Sequence, residues 1–197
     1  FKTYAQEAGL GAEDLILTNE YIYEPTISAL DLGCHTLFQE KYGMGEPTDV
    51  MVDAILDELR DKDYNRIIAV GGGTIIDIAK VLAVASKEDK VDDLYDRMAD
   101  LHKVHELVIV PTTCGTGSEV TNISIINRTT KGVKQGIVSP AMFANEAALI
   151  PGMLASLPYG VFATSSIDAM IHAVESFLSP NACAISELCL LYTSPSP

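Results

Sequence analysis

Asn65-Arg66-Ile67-Ile68-Ala69-Val70-Gly71-Gly72-Gly73-Thr74-Ile75-Ile76-Asp77-Ile78-Ala79-Lys80 is the stretch that decides the fold. A short apolar run bounded by polar residues and glycines has the make-up of a buried strand, and it passes directly into a helical pattern. Ile75 to Ser86 is apolar nearly all round, which predicts a buried helix with Thr74 as N-cap and Asp77 three residues on as its capping-box partner. Upstream, Asp14-Leu15-Ile16-Leu17-Thr18 reads as another buried strand, and Asp49 to Lys62 sets Met51, Val52, Ile55, Leu56 and Leu59 at helical spacing. Downstream, Leu94 to Lys103 is mixed and polar. Leu107-Val108-Ile109-Val110 is then a strand that ends in Pro111-Thr112-Thr113-Cys114-Gly115-Thr116-Gly117-Ser118-Glu119. Strands alternating with helices at this spacing predict βαβ units, hence an α/β fold with a mostly parallel sheet. From Gly152 onward only helical patterns remain, so a boundary is expected near residue 150. Residues 1–150 form the α/β domain and residues 151–197 begin an all-helical one. Ser165 or Ser166 is the expected cap of the helix that carries Asp168. Ala184 to Leu191 reads as a helix running into Thr193-Ser194-Pro195-Ser196-Pro197, which proline prevents from continuing. With Phe1 at the start as well, both ends are expected to be cut and the last residues to be foreign to the protein.

Composition narrows the partners. Of 197 residues 48% are hydrophobic, enough for a full core, and 27 acidic against 13 basic residues give a net charge of -14. That charge repels nucleic acid and anionic membranes, so the expected ligands are small. An anionic ligand must then be held by backbone N–H groups, helix N-termini and a few placed cations. Cys34, Cys114, Cys183 and Cys189 form no C-x-x-C pair and read as reduced, mostly buried thiols. The apolar runs are broken well before the ~18 residues a membrane span needs, which predicts a cytoplasmic protein.

Three motifs carry chemistry. At the strand–helix junction, Gly71-Gly72-Gly73-Thr74 lets backbone approach a pyrophosphate, and the helix N-terminus adds free N–H groups. A tight turn without ligand is the alternative, since the string matches neither G-x-G-x-x-G nor G-x-x-x-x-G-K-[ST]. Thr112, Thr113 and Thr116 offer hydroxyls at the carboxyl end of the next strand, where open α/β sheets bind ligands. Lys134 and Lys131 are candidate cations nearby. In the third motif, Ser166-Ile167-Asp168-Ala169-Met170-Ile171-His172, Asp168 and His172 share a helix face at i, i+4 and are able to grip one metal ion, or simply to pair with each other. His102 and His105, beside Glu106, are a rival metal pair read as solvated surface, and His35 is read the same way.

Taken in order, GGGTIIDIAK, PTTCGTGSEVT and SSIDAMIHAVESFLS resemble the iron-dependent (group III) alcohol dehydrogenase family, and DLILTNEYIYEP with FQEKYGMGEPTD is most similar to its 4-hydroxybutyrate dehydrogenase branch. The resemblance implies a dinucleotide-binding domain followed by the start of a helical metal-binding domain, with NAD and a divalent metal, iron or zinc, as cofactors. It places Gly71, Gly72, Gly73 and Thr74 at the pyrophosphate, Thr112, Thr113 and Thr116 on a second cofactor loop, and Lys134 near the nicotinamide ribose. It makes Asp168 and His172 the first two metal ligands. The family's two further histidine ligands lie beyond this sequence, so the chain is expected to be an inactive fragment of an enzyme that interconverts 4-hydroxybutyrate and succinate semialdehyde. A primary-alcohol or lactaldehyde dehydrogenase of the same family, and a fragment competent only in nucleotide binding or self-association as a homo-oligomer, are the alternatives. Asn19 stands where many members carry an aspartate that contacts the adenosine ribose and favours NAD.

Overall fold

The structure is a computed structural model and describes residues 1–155 and 157–193. Its elements in chain order are α1 (Lys2–Glu7), β1 (Asp14–Thr18), α2 (Glu20–Thr26), β2 (His35–Phe38), α3 (Asp49–Leu59), β3 (Arg66–Gly71), α4 (Gly73–Leu82), α5 (Val91–Asp96), β4 (Glu106–Pro111), β5 (Ile123–Arg128), β6 (Val133–Val138), β7 (Glu146–Ala147), α6 (Tyr159–Leu178) and α7 (Ala184–Thr193). Five strands form one parallel sheet in the order β2-β1-β3-β4-β7, and β5 pairs antiparallel with β6.

Strands β1, β3 and β4 are continuous apolar runs because both faces of the sheet are covered. Alternate side chains supply two cores. Leu15, Leu17, Ile67, Ala69, Leu107 and Ile109 face α3, α4 and α5. Ile16, Ile68, Val70, Val108 and Val110 pack on the opposite side with Ile22 and Ile27, near Tyr4 of α1. Each fully buried Ile or Leu contributes about 1.5–3 kcal/mol relative to exposure, so these three strands anchor the domain. From β1 the chain passes to β2 on one side, then to β3 on the other. The strand order therefore reverses between β1 and β3, and an open α/β sheet binds its ligand in the crevice at such a point. Among the described residues no helix is long and apolar enough to cross a membrane.

Several local expectations are corrected. Gly72, with extended backbone, is the N-cap of α4, and it has no side chain to cap with. Thr74 lies inside the helix and donates its hydroxyl to Gly45 O at 3.1 Å, while the Asp77 carboxylate accepts Ile125 N–H at 3.2 Å, so no capping box forms. Helix α6 starts at Tyr159 after Pro158, two turns before the expected cap; Ser165 instead donates to Phe162 O at 3.1 Å. The cysteines are not mostly buried: Cys34 is half-buried and Cys114, Cys183 and Cys189 are exposed, because these three lie outside the two faces of the sheet. His105 is not a solvated residue. Its ring stacks on Tyr64 at 4.3 Å, and burial lowers its pKa, whereas His102 and His35 are exposed as expected. The Ser/Pro tail from residue 194 lies outside the described residues.

Candidate cofactor and metal site

The carboxyl ends of β1, β3 and β4 converge because their registers are aligned, Thr18 opposite Val70 and Gly71 opposite Pro111. Thr18 ties its hydroxyl to Val70 O at 2.7 Å, and Thr112 N–H donates to Gly71 O at 3.0 Å, which fixes the two turns that follow. At the first turn the chain enters α4 without a cap, so the N–H groups of its first turn, from Gly73 on, have no side-chain acceptor. A Cβ at Gly72 would stand 3.3 Å from Thr113 Cγ2, and one at Gly73 would stand 3.3 Å from Thr116 Cγ2. The glycine turn and the threonine loop thus face each other with only hydrogen atoms between them. Gly71 has a different reason to be glycine, since a Cβ there would meet the Ile75 side chain at 2.5 Å.

A cavity of about 370 Å³ opens beside this junction, lined by Gly72, Thr112 and Thr113 together with Tyr21, Ile22, Pro25 and Thr26 of α2 and with Pro158 and Val161 at the start of α6. Mostly apolar walls with a few hydroxyls and amides suit a planar heterocycle joined to an anionic group. The structure brings Gly72, Gly73, Thr112, Thr113 and Thr116 together. Asn19, buried as N-cap of α2 two positions before Tyr21 of the cavity wall, donates its amide to Gln39 Oε1 at 3.2 Å. Lys134 lies on β6 with its Nζ 2.6 Å from Glu46 Oε1 and is not a cavity wall. Lys131 pairs with Asp92 at 2.9 Å, and neither lysine lines the cavity.

Asp168 and His172 stand on one face of α6, with Oδ1 and Nε2 3.8 Å apart and both side chains about half exposed. They can offer one oxygen and one nitrogen to a cation, and among the described residues no group of three or more His, Cys, Asp and Glu could hold a metal. Catalytic zinc sites take three protein ligands, so this pair alone does not make a complete coordination shell. What the sequence did not reveal is how closely this helix is joined to the threonine loop. A Cβ on Gly115 would meet Ser165 O at 2.4 Å, and the Cys114 thiol lies 3.3 Å from Ser165 Oγ and 3.7 Å from Ser166 Oγ, which lowers the thiol's pKa. Ser165, Asp168 and His172 follow at i, i+3 and i+7, one helix face. The G-T-G spacing around Gly115 was the available signal, since a buried loop glycine often marks a backbone approach.

A second unforeseen feature lies under the glycine turn. Lys80, fully buried, donates to Thr121 Oγ1 and Ile123 O, both at 2.9 Å, and burial brings its pKa down to about 8. Asp77, one helical turn earlier, is pushed up to about 6 by burial, partly offset by the Ile125 N–H and by Lys80. The two side chains fasten α4 to the β5–β6 hairpin.

The family model for iron-containing alcohol dehydrogenase matches residues 2–151. A 4-hydroxybutyrate dehydrogenase of Clostridium kluyveri is 50% identical over 173 residues, covering 88% of this chain and 46% of that protein. A 4-hydroxybutyrate dehydrogenase of Cupriavidus necator is 35% identical over 141 residues, 68% of this chain and 36% of that protein. The crystal structure of a sulfoacetaldehyde reductase from Bifidobacterium kashiwanohense in complex with NAD+ superposes with a TM-score of 0.82 at 26% identity, covering 98% of this chain and 53% of that one. The chain spans about half the length of such relatives, or less. With the matched model covering its sheet, its glycine turn and its threonine loop, the chain belongs to the iron-containing alcohol dehydrogenase family.

Proposed function

We propose that this chain is the cofactor-binding part of an NAD-dependent, metal-dependent dehydrogenase of the cytoplasm that interconverts 4-hydroxybutyrate and succinate semialdehyde. The observation that supports the substrate is the 50% identity to a 4-hydroxybutyrate dehydrogenase over 173 residues, 88% of this chain. In this reading residues 1–150 form the NAD-binding domain and residues 151–197 begin the metal-binding helices. Backbone N–H groups of Gly71, Gly72, Gly73 and Thr74 hold the pyrophosphate at the N-terminus of α4. Thr112, Thr113 and Thr116 hydrogen-bond the nucleotide from the facing loop, Asn19 closes the ribose end, and Lys134 releases Glu46 to reach the nicotinamide ribose. Asp168 and His172 hold the metal with ligands from beyond this chain. The bound groups supply hydride exchange and polarisation of the carbonyl oxygen. The chain's own part is alignment: the seat of Gly115 on Ser165 fixes the threonine loop relative to the helix that bears Asp168 and His172, so cofactor and metal keep one geometry.

The test is steady-state kinetics of the complete gene product, loaded with Fe(II) or Zn(II), on succinate semialdehyde, butanal and lactaldehyde with NADH. The reading expects the highest kcat/KM for succinate semialdehyde. A higher value for butanal or lactaldehyde would replace the substrate, and no NADH oxidation with any of the three would overturn the reading.

A further inference from the structure

We propose that Glu40 is the residue that makes this site select NAD over NADP, a reading that rests on the NAD site proposed above. The position directly after β1 is neutral here, and the Asn19 amide is already spent on Gln39. Parallel pairing of Thr18 with Phe38 sets Gln39 and Glu40 beside Asn19 and Glu20. Glu40 Oε1 accepts Glu20 N–H at 2.9 Å, which pins the carboxylate across the end of β1. Its other oxygen, Oε2, is enclosed and has no hydrogen-bond partner. No cation neutralises it from the adjacent position, because Lys41 turns to Glu58 at 2.5 Å.

The charge reaches the cavity. Tyr21, which lines it, has its phenol pKa raised by burial and then by Glu40. A dinucleotide seated on the glycine turn after β3 lies across the end of β1, so its adenosine ribose is carried toward β2. At about 4.8 Å between neighbouring strands, the end of β2 is roughly 10 Å from that turn, a span that a phosphate–ribose unit covers. An acid at the ribose tolerates a 2′-hydroxyl and repels a 2′-phosphate, which brings up to two further negative charges. Among Glu20, Tyr21, Gln39 and Glu40, the side chain whose carboxylate is held in place by the backbone of the strand end is Glu40. Glu20 is exposed and contributes its backbone N–H to that contact.

The experiment is calorimetric titration of the 197-residue chain with NADH and with NADPH, for wild type and Glu40→Gln. Glutamine keeps an oxygen for Glu20 N–H and removes the charge, so a purely structural role would weaken both nucleotides alike and leave their ratio in place. The proposal expects wild type to prefer NADH, and the ratio of dissociation constants to shift toward NADPH by at least about tenfold, or 1.4 kcal/mol, in Glu40→Gln. The preference of wild type should also shrink in high salt, which screens charge. NADH binding with an unchanged NADH-to-NADPH ratio in Glu40→Gln overturns the role of Glu40 alone. Failure of wild type to bind either nucleotide overturns the NAD site itself, and this proposal with it.

Discussion

Replacing Gly115 by alanine should disturb two properties at once, because this glycine is where the threonine loop touches α6. The added Cβ would lie 2.4 Å from Ser165 O, and 3.0 Å from both Ser165 C and Ser165 Cα. Ordinary contact starts at 3.4 Å, so loop and helix must separate by about 1 Å, 3.4 minus 2.4. The obstacle is helix backbone rather than the end of a flexible side chain, so rotamer changes cannot relieve it. Overpacking of this kind costs about 1–3 kcal/mol. At roughly 2–4 °C per kcal/mol for a chain of this size, the melting temperature should fall by about 2–12 °C. The same displacement moves Thr112 and Thr113 out of register with the glycine turn. Losing one or two hydrogen bonds at about 0.5–1.5 kcal/mol each should weaken NADH binding by roughly 2- to 150-fold. Scanning calorimetry and NADH fluorescence titration read both effects. Gly160→Ala is the control, since a Cβ there meets nothing within 4 Å and alanine suits a helix. Wild-type melting and affinity in Gly115→Ala, or equal losses in Gly160→Ala, would refute the reasoning.

Two more outcomes follow from the site. In the complete gene product, Asp168→Ala and His172→Ala should each remove bound metal and most of kcat while NADH affinity changes little; full metal occupancy by mass spectrometry of the eluted ion in His172→Ala would overturn the ligand assignment. Asp77→Asn should alter the pH dependence of stability. A carboxyl raised from 3.8 to about 6 binds its proton more tightly folded than unfolded, so its contribution is present at low pH and lost as pH rises through about 6. Urea unfolding of wild type should therefore lose about 1–3 kcal/mol from this group between pH 4 and 7, and Asp77→Asn should lack that component; identical pH profiles would contradict it.

What the sequence made legible is the part of the fold where burial is two-sided. Strands β1, β3 and β4 lie between two helical layers, so nearly every residue is apolar and the run stands out without any periodicity. Strand β6 is the opposite case. It is exposed along most of its length, so Val133-Lys134-Gln135-Gly136-Ile137-Val138 gives no apolar run, and the β5–β6 hairpin was missed. Missing it hid the meaning of Asp77 and Lys80. On a bare helix Asp77 resembles a capping residue; against the hairpin it is a partly buried acceptor for Ile125 N–H, and Lys80 is a fully buried donor to Ile123 O. Strand β2 is four residues with a single fully buried one, Leu37, too short to show alternation. At the candidate site, the motifs single out Gly72, Gly73, Thr112, Thr113, Thr116, Asp168 and His172, because each lies on or beside an element that the sequence predicts. The contacts of Gly115 with Ser165 and of Glu40 with Glu20 join residues 50 and 20 positions apart, and no local pattern encodes them.

The central claim is that the uncapped glycine turn at the start of α4 is the seat of a dinucleotide. It is tested most directly by calorimetric titration of NADH into this chain and into its Gly72→Val variant. A valine there would push γ-methyl groups into the gap of a few ångströms between Gly72 and Thr113 and over the N–H groups of α4. The account predicts one molecule bound per chain in wild type and no measurable heat of binding in Gly72→Val. Equal affinity in the two proteins would contradict it.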